Sequence, residues 1–378
     1  MKLTSPVKPL LAALAPVARV APARSTIPVL AHVLVQVAGG RATIVADDLD
    51  REAEVSLAVD GGADGAACLP ASTLLDVLKK LPGDALVSIE VSDGKATLRS
   101  GRSRFVLQTL PADDFPRLGA RDFAHKFTLE PAILAGMIAE TAFAISSEET
   151  RYYLNGVYWH FTGEDLRFVA TDGHRLARTA TPMPKGSEAA PSVIVPTAAI
   201  KEFARRASEA KDGEVATIAL SPERIRLTIG ACSLTTKLID GTFPDYARII
   251  PAEATTTATV DREKFRDAID LALPVAETKA HATKFVFDDG SSLGTSAVEI
   301  SVNNPDAGSA LTSIEADVRG HEVTIGFNAK YVLEALAAFS AELVSLAMND
   351  PGSPAVLTAE GASETSRRLL VVIMPLRV

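Results

Sequence analysis

Apolar positions along the chain follow two periods. At 197–211, Ile200, Phe203, Ala207 and Ala210 fall three to four apart, as on one helix face, while Lys201 and Arg205 lie four apart on another face, a basic one. Stretches at 8–20, 71–81, 131–145, 261–273 and 329–340 predict five further helices. Between them the pattern shortens to alternation, as in Thr97-Leu98-Arg99 and Thr217-Ile218-Ala219-Leu220, punctuated by turn dipeptides such as Asp93-Gly94 and Asp172-Gly173. Strands joined by such turns are antiparallel.

The elements recur. An apolar run closing on a polar pair appears as Val45-Ala46-Asp47-Asp48, Val169-Ala170-Thr171-Asp172 and Ile300-Ser301-Val302-Asn303-Asn304. An alternating strand recurs at Arg104–Leu110, Ser233–Leu238 and Arg368–Met374; Phe115-Pro116 follows the first copy and Phe243-Pro244 the second at equal distance. Asp48 to Asp172 spans 124 residues and Asp172 to Asn304 spans 132; Leu110 to Leu238 spans 128 and Leu238 to Met374 spans 136. Three units follow, bounded at 1–126, 127–254 and 255–378. Two helices and several antiparallel strands in each make an α+β protein of three similar domains.

The net charge, 38 basic against 47 acidic side chains or −9, argues at first sight against a nucleic-acid partner. Its distribution changes that: the three units hold 15 and 14, 13 and 16, and 10 and 17 basic and acidic residues, so the acid gathers at the C-terminal end. The longest apolar run, Pro9 to Ala18, is far short of a bilayer span. Lys2, Lys8 and Leu10–Leu14 ahead of Ala21-Pro22-Ala23 imitate a secretory leader, but Arg19 interrupts the segment, which has counterparts later in the chain. The two cysteines, Cys68 and Cys232, have no ligand spacing, as in a reduced cytoplasmic protein.

Catalytic motifs are few. Gly290-Ser291-Ser292-Leu293-Gly294 matches a nucleophile elbow in letters, but such an elbow turns into a helix, whereas the alternating Thr295–Ile300 predicts a hairpin loop. His174, two residues from Asp172, could form an acid–base dyad; a turn displaying His174 and Arg175 on a surface is the plainer reading. A hydrolase using Ser292 or His174, and a peptide-binding scaffold without DNA, therefore stand as alternatives.

Arg151-Tyr152-Tyr153-Leu154-Asn155-Gly156 followed by Val169–Ala177 resembles the signature of the bacterial DNA polymerase III β subunit family, the sliding clamps. Matches in order along the chain include Arg24 with Ile27–Leu30, Ser100–Phe105, Asp240–Tyr246, Gly326-Phe327-Asn328 with Tyr331, and the tail Met374–Val378. The resemblance implies a head-to-tail homodimer closing six domains into a ring, without catalytic activity or cofactor. Its partners would be double-stranded DNA, the polymerase III alpha subunit, the clamp loader complex, and other DNA polymerases and repair proteins bearing clamp-binding peptides. A sliding ring should touch the backbone through mobile cations and leave bases unread, its topology keeping the polymerase at high effective concentration.

The resemblance also distributes roles. Arg24, Tyr152 and Tyr153 belong to loops touching DNA, with Glu148 and Glu149 lending the latter loop an acidic flank. Helical cations facing the hole would come from Lys79, Lys80, Lys201 and Arg205, and further from Arg19, Arg206, Arg262, Lys264, Arg266 and Lys330; a solvated surface charge is the alternative for each. A partner-peptide pocket would draw on Leu154, Thr171, Gly173, His174, Arg175, Leu176, Pro244, Arg248 and Ile249, with Met374, Pro375, Leu376 and Arg377. Gly352 and Pro354 depart from the family's usual wall, and Val378 stands where Leu is commoner. Phe105 and Leu107 would meet Leu271 and Leu273 across the dimer seam, a core role being the competing reading.

Overall fold

A computed structural model of the chain describes residues 1–119, 122–276, 281–291, 294–361 and 367–377; Ser292 and Val378 lie outside them. The six helices form where the apolar periodicity places them: α1 Val7–Ala18, α2 Ala71–Lys80, α3 Pro131–Ala139, α4 Thr197–Ser208, α5 Arg262–Ala272 and α6 Ala329–Ala338. Ile200, Phe203 and Ala207 of α4 are buried, whereas Ala210 lies past the helix end and is half-buried. Asp261 caps α5 by accepting from the Lys264 N–H at 3.0 Å, and Asn328 caps α6 through the Lys330 N–H at 3.0 Å. The stretch 131–145 yields a shorter helix, because the Thr141 hydroxyl donates to the Met137 carbonyl at 2.8 Å and a 3₁₀ turn takes over at Ala142–Ala144.

The chain divides into two compact units, Met1–Pro131 with Arg206–Leu238 and Ala132–Arg205 with Ile239–Val378, so the middle repeat contributes to both. In the first unit a five-stranded sheet runs in the order Asp60–Ala63, Lys2–Pro6, Leu86–Ser92, Lys95–Ser100, Ser103–Gln108. An eight-stranded sheet accompanies it, and its two halves meet where Cys232–Lys237 pairs antiparallel with Arg51–Ala58, Thr236 opposite Arg51. Leu10, Leu14 and Val17 of α1 and Leu74 and Leu78 of α2 are buried in this unit, so the leader-like segment is part of its core.

The second unit repeats the arrangement. Its nine-stranded sheet joins through Arg175–Pro182 and Leu370–Ile373, Leu176 opposite Val372, and a four-stranded sheet ends on Gly308–Glu315. Phe265 of α5 meets Phe285 edge-on at 6.0 Å, and Trp159 stacks on Phe168 at 4.2 Å; all four rings are fully buried. Ala282–Asp289 and Ser296–Asn304 pair antiparallel with Asp289 opposite Ser296, so the element that follows Gly294 is a strand, as its alternation predicts, and not the helix that a nucleophile elbow requires. Among the described residues no helix is long and apolar enough to cross a membrane.

Candidate functional site

The strand Asp165–Thr171 turns into Arg175–Pro182 through Asp172-Gly173-His174. Asp172 Oδ1 accepts the N–H groups of His174 at 2.9 Å and Arg175 at 3.0 Å, and Gly173 sits at φ +89°, where a Cβ would meet Arg151 Nη1 at 2.6 Å. That carboxylate is occupied by the turn, and the His174 ring stacks at 6.2 Å on Tyr331, so the conceivable acid–base dyad does not form. Across the join, the Met374 N–H donates to the His174 carbonyl at 2.9 Å, and the Leu376 N–H donates to Gly326 at 2.8 Å, fastening the tail along the sheet.

These constraints bring Thr171, Gly173, Arg175, Leu176, Ile249 and Met374 around a cavity of about 30 Å³, with Val372 as a further wall. Its floor is one apolar cluster in which Leu154, Leu176 and Val372 pack with Val169, Phe243 and Tyr246. The remaining expected residues stand around rather than in it: His174, Pro244, Arg248 and Arg377 are exposed, and Pro375 and Leu376 are half-buried. Arg248 ion-pairs with Asp245 at 2.8 Å on the 3₁₀ turn Tyr246–Ile249 that carries Ile249 to the rim. A volume this small admits a water or two, so an apolar anchor enters only if Met374, unbranched and adaptable, or the exposed Ile249 yields.

Arg175 differs from a free donor. It ion-pairs with Asp172 at 3.1 Å and with Glu334, donates to the Phe143 carbonyl at 2.6 Å, and lies over the Tyr331 ring at 4.4 Å. Its guanidinium is spent within the protein and its role is to hold the wall. Burial pushes the Tyr331 phenol above its ordinary range, and Asp172 adds to that. Val372 is the pocket residue that sequence reasoning missed; standing two positions before Met374, it shares that residue's face of the strand, which was the available signal.

The expected DNA-facing residues divide by type. Arg24 is exposed in its loop, and Lys79, Lys80, Lys201, Lys264 and Lys330 are exposed without an ion pair among the described residues. The other arginines are engaged: Arg205 with Glu202, Arg19 with Glu209 at 3.4 Å, Arg262 with Glu263 at 2.5 Å, and Arg266 with Asp267 at 2.8 Å. Arg206 corrects the expectation outright: it is buried and donates to Cys232 Sγ at 2.8 Å and the Pro16 carbonyl at 3.4 Å, a structural side chain on the inward side of α4. Tyr152 is 54% exposed and meets Tyr153 edge-on at 5.8 Å. Of the two acids beside them Glu148 is paired locally, since Arg151 bonds it at 2.7 Å, lowering that carboxyl's pKa and raising its own.

Phe105 and Leu107 are half-buried on Ser103–Gln108, which ends its sheet, and Leu273 is half-buried. Leu271 is 73% exposed, which rules out the core role for it.

Models of the DNA polymerase III beta subunit match the chain in three blocks: the N-terminal domain over residues 1–119, the central domain over 128–245 and the C-terminal domain over 247–377. The beta sliding clamp of Caulobacter vibrioides is 38% identical with 100% of both chains covered, and that of Escherichia coli K12 is 34% identical with 94% of both covered. The crystal structure of a sliding clamp from Bartonella birtlesii bound to griselimycin superposes over 100% of both chains with a TM-score of 0.93 at 35% identity.

Proposed function

The chain belongs to the DNA polymerase III beta subunit family, and from that premise we propose that it closes head to tail with a second copy around duplex DNA and tethers polymerases through the Leu176–Met374 pocket. Its fold is three clamp domains of antiparallel sheets and helices, and its function is that of a DNA sliding clamp in replication, a processivity subunit without catalysis of its own. DNA, polymerase III and a second copy of the chain are its partners. In the proposed reading the domains run 1–126, 127–254 and 255–378, the polymerase III alpha subunit, the clamp loader and peptide-bearing repair proteins share the pocket, and the protein works in the cytoplasm.

One observation carries the docking part: a small apolar cavity whose walls come from a rigid turn, an exposed 3₁₀ turn and a hydrogen-bonded tail. Such a site suits short apolar anchors of a linear peptide better than a reacting substrate. The exposed lysines Lys79, Lys80 and Lys201, with Arg24, Tyr152 and Tyr153, supply mobile, sequence-indifferent contacts to phosphate. The dimer seam uses Phe105 and Leu107 on one open strand edge, with Leu271 and Leu273 beside the other, Gly308–Glu315.

The decisive experiment loads the protein with clamp loader and ATP on a nicked circular plasmid. Retention on the circle and loss on linearising it are expected; equal retention on both would overturn the ring. Met374→Arg should abolish polymerase capture while the variant keeps the dimer mass, and unaltered capture would remove the pocket from the proposal.

A further inference from the structure

The sheet face that floors the pocket continues past it. Along Arg175–Pro182, Leu176 and Arg178 point to the same side, about 7 Å apart by the rise of a strand. Their partners on Leu370–Ile373 are Val372, opposite Leu176, and Leu370, opposite Arg178. Beyond the apolar row a crevice of about 300 Å³ opens, lined in part by Arg178, Arg367, Arg368, Glu140, Thr358 and Leu370.

Cations outnumber anions on this ground. The nearby carboxylates are already engaged: Asp165 accepts from Arg167 at 2.8 Å, from Arg368 at 3.1 Å and from the Thr162 hydroxyl at 2.6 Å, and Glu140, in the crevice wall, accepts from Arg367 at 2.8 Å and from the Thr179 hydroxyl at 2.5 Å. Arg178 makes no ion pair among the described residues, and its Nε is buried without a hydrogen-bond partner. A half-buried guanidinium left in this state is costly, and burial together with the neighbouring Arg167 pushes its pKa below the ordinary arginine value. His160, also facing this ground, is held toward its neutral form chiefly by burial, while its Nδ1 lies 2.8 Å from the Tyr246 hydroxyl, so it offers no counter-charge.

We propose that Arg178 is the acid-reading end of the docking groove: partner peptides whose apolar anchors fill the Leu176 pocket place an aspartate or glutamate against Arg178. The inference rests on the pocket assigned above and deepens it. A carboxylate arriving there meets an unspent planar donor fork, the geometry that favours paired charge-assisted hydrogen bonds. An extended peptide spans the gap with two residues.

The test uses the full chain and labelled peptides. One peptide carries apolar anchors and asparagine two residues away; its partners carry aspartate at that position on either side. One aspartate peptide should bind the parent protein roughly tenfold more tightly than the asparagine peptide at low salt. Arg178→Gln should erase that advantage and leave affinity for the asparagine peptide unchanged, which also certifies the fold of the variant. Equal binding of the aspartate and asparagine peptides, equal weakening of both by Arg178→Gln, or displacement of the aspartate peptide by a short duplex oligonucleotide would each overturn the assignment. If the asparagine peptide fails to bind the parent protein at all, the pocket itself is wrong and this inference falls with it.

Discussion

The turn Asp47–Arg51 of the first unit and the turn Thr171–Arg175 of the second are built with the same bonds. Asp48 Oδ1 accepts the N–H groups of Asp50 at 3.1 Å and Arg51 at 2.6 Å, as Asp172 does for His174 and Arg175, and each aspartate ion-pairs with its arginine. The residue in the left-handed region is Leu49, φ +77°, in one and Gly173, φ +89°, in the other. Thr171 accepts from the Gly173 N–H at 3.1 Å and donates its hydroxyl to the Arg175 carbonyl at 2.7 Å. Asp47 accepts from the Leu49 N–H at 2.6 Å, but a carboxylate has nothing to donate; its Oδ2 is buried without a partner, and burial pushes its pKa up to about 6.

The ground beside each turn differs more. Phe115 and Phe243 occupy corresponding places in their apolar clusters, yet the chain after Phe115 is laced down: Arg117 bonds Glu52 at 2.8 Å and Glu54 at 2.7 Å, and the Leu118 N–H donates to Glu52 at 3.1 Å. After Phe243 the chain instead holds Ile249 and Arg248 out to solvent. The turn is common property of the repeat; the cavity beside the second turn lies where the following strap is left untied and Thr171 and Gly173 stand in place of Asp47 and Leu49.

The comparison breaks most visibly at Arg117. Arg117→Ala strands Glu52, whose side chain is 8% exposed, and should cost the first unit about 3 kcal/mol. Circular dichroism in urea should show the earlier transition, while Trp159, the single tryptophan and a residue of the second unit, shifts less. A variant as stable as the parent would mean that the strap is held by something else. Asp47 comes next. Because its folded pKa is raised from 3.8 to about 6, its contribution is complete below pH 3.8 and is lost as pH rises through 6, a swing on the order of 2–3 kcal/mol. Asp47→Asn should flatten the stability profile over that window and stabilise the protein at pH 7.5; an unchanged profile would show that Asp47 does not titrate with folding. The smallest effects lie in the backbone: Gly173→Ala should lose about 1–2 kcal/mol and Leu49→Gly gain about 0.5 kcal/mol, read from thermal midpoints. Equal responses would show that the two turns are not under opposite strain.

Repetition made most of the fold legible, because an amphipathic helix such as α4 or an alternating strand declares its buried side within a few residues. The sharing of the middle repeat between two units was not legible. It depends on Thr236 finding Arg51 and Val372 finding Leu176, pairings across nearly two hundred residues that periodicity does not encode. The candidate site divides the same way. Thr171, Gly173, Leu176, Ile249 and Met374 line one cavity, but Arg175 proves to be spent on Glu334, 159 residues on, and the buried Arg206 belies its place on a basic helix.

Among the described residues Ser103–Gln108 and Gly308–Glu315 each leave one edge of a sheet without a strand beside it, and Leu311 on the latter is 68% exposed. An edge of this kind is a template for any extended chain, and a charge such as Arg104 guards it only in part. With these edges proposed as the dimer seam, lone protomers are the species at risk of aggregation, and a seam substitution that leaves them unmated should bring turbidity before it brings unfolding.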